Sequence, residues 1–183
     1  MPATAHPRLS LAEWVVLCLV CEGPSHGFAL ARTLGSDGEL GQIWRVPKPV
    51  IYRAIQRLED AGLVELVELQ PSSEGPVRSL VEATAPGRDS AAGWLAKPVR
   101  HTRDIRSELL VKLALLDRAE RDPAPLLEAQ STLLEPVAQA LRARLAGASG
   151  VERAITLWRC ETVEATLRFL AELRQPSAAT ARR

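Results

Sequence analysis

Residues 47–61 read PKPVIYRAIQRLEDA, and as a helix they carry their charge in reverse. The N-terminal end of an α-helix bears partial positive charge, so a helix stabilising itself sets acids in its first turn and bases in its last. Here Lys48, Arg53 and Arg57 come early and Glu59 and Asp60 come late. On a helical wheel centred on Ile51, Ala54, Ile55, Leu58 and Gly62 fall within about 60°, while Tyr52, Arg53, Gln56 and Asp60 lie opposite. Pro47 and Pro49 are tolerated only near a helix start, which puts the bases in the first turns. A positive pole reinforced by bases attracts an anion, and phosphate fits it. In a DNA major groove, entered N-terminus first, Lys48, Tyr52, Arg53, Gln56 and Arg57 would face phosphates and base edges while Glu59 and Asp60 stay away.

Outward from this helix the pattern is consistent. Upstream, Leu11, Val15, Cys18 and Leu19 recur at three- and four-residue steps and predict a first helix over 10–21, stopped by EGPSHG. Ser25 is expected to cap a short second helix, HGFALARTL, with Phe28, Ala31 and Leu34 on one face and Gly35 at its end. A Gly-rich loop runs from there to Trp44. Downstream, GLVELVELQ reads as a strand, PSSEGP as a turn and VRSLVEA as a second strand. Helix, helix, helix, hairpin is the winged helix-turn-helix order.

From Gly87 the pattern is helical. GRDSAAGWL is a short amphipathic piece, and DIRSELLVKLALL places Ile105, Leu109, Leu113 and Leu116 on one stripe. After the loop DRAERDPAP, two long helices are expected, from Leu126 to Leu145 and from Val151 to Leu173. The last has two apolar stripes, one through Ile155, Trp158, Ala165 and Phe169, the other through Leu157, Cys160, Val163, Leu167 and Leu170. So wide a surface needs cover on more than one side, and a partner chain is the simplest cover. Ile155, Trp158, Leu167 and Phe169 are therefore the expected dimerisation residues. The fold class is mainly α with a small β-hairpin. It comprises a winged helix-turn-helix domain at 9–85 and a C-terminal α-helical dimerisation and effector domain at 86–175, with flexible tails at 1–8 and 176–183.

Composition narrows the function classes. A net charge of +1 announces no nucleic-acid binder globally, so that case rests on local placement. Three cysteines and no basic-then-apolar N-terminal segment lead to the expectation of a cytoplasmic setting. The apolar run WVVLCLVC is too short to span a bilayer. Cys18 and Cys21 form a C-x-x-C, but inside an apolar helix with no second pair they read as core thiols, and Cys160 as core or interface. His6, His26 and His101 are dispersed, and no nucleophile elbow, phosphate loop or spaced acid pair occurs. No catalytic site, metal site or cofactor is expected. His26, at the start of the second helix, reads first as a capping residue and second as a phosphate donor. Trp14, Trp94 and Trp158 read first as packing rings and second as the lining of a site for a flat, apolar or aromatic effector.

The sequence resembles the PadR family of bacterial transcriptional regulators. The resemblance lies in GPSHGFAL, VIYRAIQRLEDAGLVE, GPVRSLVEATAPG and RSELLVKLALL, in the family's order and spacing, over roughly 9–116. It implies a homodimer, an N-terminal winged helix that binds a palindromic double-stranded DNA operator, and C-terminal helices that dimerise and often shape an effector site between subunits. A ligand-responsive repressor is the implied function. Tyr52 and Arg53 match the family's Tyr-Arg pair, Leu58 and Gly62 its packing positions, Arg78 a basic wing residue, and Thr84 and Gly87 the entry to the next helix. This chain departs from the family at Val46 and Pro47, where a Ser or Thr cap is usual. It departs again at Leu80 and Val81, where aromatics are usual. Glu74 and Glu82 leave Arg78 as the wing's one base, and with the neutral net charge they keep open a second reading, a winged-helix protein-interaction module that has lost DNA binding.

Overall fold

The computed structural model describes residues 9–72 and 75–175, and side chains throughout these except at 68–78. The expected tails, Glu74 and the side chain of Arg78 lie outside the described part of the chain. The chain forms two compact units, one of residues up to 96 together with 110–121, the other of 97–109 together with residues from 122 on.

The first unit begins with α1 (Leu11–Cys21), started by a reciprocal cap: the Glu13 amide donates to Ser10 Oγ (3.4 Å), and the Ser10 amide donates to Glu13 Oε2 (2.7 Å). Val15, Val16, Leu17, Leu19 and Val20 are all buried, so the helix is covered almost all round. Ser25 does not cap the next helix. Ser25 and His26 form a two-residue strand, β1, and α2 (Gly27–Thr33) starts from His26, whose Nδ1 accepts the Ala29 amide at 3.0 Å. Backbone pairing of Ser25 with the wing moves the helix start one residue on. Phe28 correspondingly points to solvent, and Leu30, Ala31 and Leu34 form the buried face. In the loop after α2, Leu40 and Val46 are the buried anchors. Gly41 is required there, because a Cβ would overlap the Gly35 carbonyl oxygen at 1.5 Å.

Helix α3 (Lys48–Asp60) buries Ile51, Ala54 and Leu58, with Ile55 half-buried. It stops through Gly62 at φ +68°: the Gly62 amide donates to the Glu59 carbonyl and the Leu63 amide to that of Leu58, both at 2.9 Å. Leu58 and Leu63, on either side of this stop, are both buried. Strands β2 (Val64–Ser72) and β3 (Gly75–Ala83) come next, antiparallel, in a three-stranded sheet of order β1-β3-β2. The Thr84 hydroxyl donates to the Gly62 carbonyl (2.8 Å) and accepts the Gly87 amide (3.1 Å), tying the end of α3 to the start of α4 (Ala85–Ala96).

Helices α4 and α5 (Leu110–Arg118) pack in this first unit, whereas the sequence placed both in the helical second domain. Of the stripe expected from Ile105 to Leu116, Ile105, Leu109 and Leu116 are buried and Leu113 departs. Residues 105–109 form a π-helical turn, which fits an extra residue into the turn before α5. Leu113 turns outward to half-buried, and Val111, Leu115 and Lys112 turn inward, Lys112 to 1% exposure with its Nζ 4.5 Å from the Trp94 ring.

The second unit is an antiparallel pair, α6 (Ala124–Gly147) and α7 (Gly150–Arg174). Leu134, Ala138 and Leu141 of α6 and Cys160, Val163 and Leu170 of α7 are buried. Arg142 and Glu164 pair across them at 2.6 Å. No helix among the described residues is long and apolar enough to cross a membrane.

Candidate nucleic-acid interface

Burying Ile51, Ala54 and Leu58 turns Lys48, Tyr52, Arg53 and Gln56 to solvent. The pole of α3 offers few backbone donors, because Pro49 has no amide proton and the Val50 and Ile51 amides both donate to the Pro47 carbonyl (2.9 and 3.3 Å). No side chain caps it. Positive charge at this end is therefore supplied mainly by side chains. Lys48 Nζ stands 5.8 Å from the exposed Phe28 ring of α2. Arg53 folds back along the helix, Nε donating to the Pro49 carbonyl at 3.3 Å, which leaves both terminal nitrogens outward. Gln56 donates from Nε2 to Asp60 Oδ1 (3.1 Å) and keeps its carbonyl oxygen as an acceptor.

Tyr52 is half exposed and lies against Gly27: a Cβ at Gly27 would stand 2.4 Å from Tyr52 Cε1. That close approach joins α2 to α3 and fixes the ring's place on the outer face. Arg57 is held differently. Its Nε pairs at 3.2 Å with Glu13 Oε1, a carboxylate buried at the start of α1. Expected as a phosphate contact, it is in part a strut between α1 and α3. His26 uses Nδ1 for its cap, so the neutral ring carries its proton on Nε2, the atom left to donate.

The wing base is acidic. Glu65 sits opposite Glu82 in the β2–β3 register, and Glu82 is reached by Arg88 at 3.7 Å. Arg78 pairs with Gln70 along the backbone. Sequence reasoning passed over Arg45, exposed two residues before Pro47 and free of any ion pair among the described residues. Its signal was a base beside a helix start. In the first unit Trp14 and Trp94 stack on each other (centroids 5.5 Å apart, planes 5° apart), and in the second Trp158 on α7 is 74% exposed. Cys18 is buried and Cys21 half-buried, and burial pushes both thiols up, so they stay protonated at neutral pH.

Three helices, a small sheet and a hairpin beside the exposed face of the third helix define a winged helix-turn-helix protein. Residues 16–92 match the model of the transcriptional regulator PadR-like family. Similar solved structures include Bacillus subtilis PadR in complex with operator DNA (16% identity, 90% of this chain and 97% of that one, TM-score 0.47). Bacillus subtilis PadR in complex with p-coumaric acid is also similar (17% identity, 89% and 93%, TM-score 0.41). A third is the PadR-like transcriptional regulator BC1756 from Bacillus cereus (18% identity, 92% and 99%, TM-score 0.42). No curated protein matches the chain.

Proposed function

We propose that this PadR-like chain is a ligand-responsive repressor that binds a palindromic operator as a homodimer, laying the outer face of α3 in the major groove. The observation that carries the reading is that face itself: Lys48, Tyr52, Arg53 and Gln56 are exposed together, with no acid among them before Glu59 and Asp60. Donors of these types read phosphates and base edges. His26 Nε2 and Arg78 are the proposed supporting contacts from β1 and the wing, and Arg57 reaches phosphate only with the part of its guanidinium that Glu13 leaves free. Dimerisation is proposed through α7, where Ile155, Trp158 and Phe169 are exposed along one line and Leu167 is half-buried at its edge. Trp158 is the proposed ring open to an apolar or aromatic effector held between subunits, and the stacked pair Trp14 and Trp94 would report on it only indirectly.

The second reading, an interaction module without DNA binding, is favoured by one feature. The wing base sets Glu65 opposite Glu82 and exposes Leu66 and Val67, which suits a protein partner better than phosphate. Capturing genomic fragments on the purified protein and sequencing them separates the two. The first predicts enrichment of a palindrome with half-sites roughly 34–36 Å apart or a multiple of that; uniform recovery across the genome at physiological salt sinks it.

A further inference from the structure

The second unit contains a cavity of about 230 Å³. Its floor is aliphatic: Leu134 and Leu141 of α6 and Val163 of α7 are all buried, and no Phe, Tyr or Trp lines it. Its rim is cationic, with Arg100 and Arg103 from the segment before the π-helical turn and Arg159 from α7. No carboxylate lines it. Arg103 has only a loose contact with Asp104 (3.7 Å), and Arg100 and Arg159 have no ion-pair partner among the described residues.

The rim is built rather than incidental. Gln130, fully buried on α6, takes the Val99 amide on Oε1 (2.7 Å) and donates from Nε2 to the Val99 carbonyl (2.9 Å). This double bond pattern ties the backbone to α6 one residue before Arg100. Pro136, within α6 between Leu134 and Val137, removes one helix hydrogen bond at the level of the cavity. Three like charges round an apolar bowl repel one another when the bowl is empty, and an anion entering it relieves that repulsion while the floor takes an apolar body. Guanidinium forks match a carboxylate in two-point geometry. The volume equals about eight water molecules at ~30 Å³ each, below the usual drug-sized pocket of roughly 300–1,000 Å³.

We infer that this cavity binds a short aliphatic carboxylate of about eight non-hydrogen atoms, its chain on Leu134, Leu141 and Val163 and its carboxylate on Arg159 and Arg100. No tryptophan lines the site, and it does not rest on the operator-binding reading.

The test titrates the full-length, ¹⁵N-labelled protein, without DNA, with hexanoate, with hexanamide as its neutral counterpart, and with benzoate. Hexanoate should bind at least tenfold more tightly than hexanamide and shift amides within 99–103, 134–141 and 159–163. Arg159→Gln and Arg100→Gln, both at exposed side chains that leave the core intact, should each weaken hexanoate at least fivefold and leave hexanamide within twofold. Equal affinity for acid and amide, shifts confined to other segments, or indifference to both substitutions overturns the site. Tighter binding of benzoate than of hexanoate overturns its aliphatic assignment.

Discussion

Two arginines one turn apart on α3 divide the work of the helix. Arg53 turns its terminal nitrogens to solvent, whereas Arg57 reaches back to a carboxylate buried on α1. Arg53→Ala should therefore leave stability within about 0.5 kcal/mol and weaken operator binding by roughly 1–3 kcal/mol if it reads a base edge, or lower the salt slope by about one if it holds phosphate. Arg57→Ala should do the reverse, costing stability of about 1 kcal/mol because Glu13 stays buried with one partner fewer, with a smaller effect on the operator. Urea titrations and gel shifts at two salt concentrations measure both; unchanged affinity and salt dependence for Arg53→Ala would end the DNA reading. Gly27→Ala is a third probe, since its methyl would displace the Tyr52 ring. Operator affinity should fall with little loss of stability, because the ring is the movable partner. The exposed donors of α3 were legible because a 3.6-residue period fixes which side chains face out. The Glu13 pairing was not, because it joins residues 44 positions apart through a cap already explained by Ser10.

At the scale of elements, the sequence announced each long helix and the wing, and missed features too short to show a period. A two-residue strand has no alternation to read, so β1 appears only through its pairing with Val81 and Leu80. The π-helical turn misled more seriously: a period of 3.6 extrapolated through residues 105–109 puts Leu113 in the core, where the structure puts Lys112. Helix ends offer a direct test. Gly62, at φ +68° with open space around its missing Cβ, should lose about 1–2 kcal/mol on replacement by Ala from backbone strain alone. Glu120 holds a similar position after α5 at φ 51°, so Glu120→Gly should gain roughly 1 kcal/mol. Denaturant midpoints of the two variants should move in opposite directions. Between α6 and α7, the hydrogen bond from Arg142 holds the Glu164 carboxyl below its ordinary 4.5. A lowered carboxyl favours the folded state above that value and loses its contribution as pH falls through the folded-state value. The difference in melting temperature between the native chain and Arg142→Gln should thus be present at pH 7 and vanish in acid, and a pH-independent difference would assign Arg142 a packing role instead.

For the whole molecule, the decisive surface is the one α7 leaves uncovered. Its buried positions, Thr156, Cys160, Val163, Thr166 and Leu170, repeat at steps of three and four, one stripe facing α6. Ile155, Trp158 and Phe169 repeat on another and remain in solvent, with Leu173 beyond them. The sequence showed both stripes but could not say which one the chain covers itself; Leu157, grouped with the inner stripe, is in fact exposed, and Leu167 falls between the two. Leaving Trp158 at 74% exposure forgoes one of the largest apolar burials a side chain can give, and a second copy of α7 across a two-fold axis would recover it on both chains at once. Trp158→Glu would then set two carboxylates facing each other at that axis. In sedimentation the native chain should run as a dimer and Trp158→Glu as a folded monomer with unchanged helical content, and operator affinity should drop because each half-site is then held alone. A chain cut after Gly150 should be monomeric or aggregating for the same reason. If residues 1–150 sediment as a well-behaved dimer, the two-fold axis lies elsewhere, and the exposed stripe of α7 needs a partner other than itself.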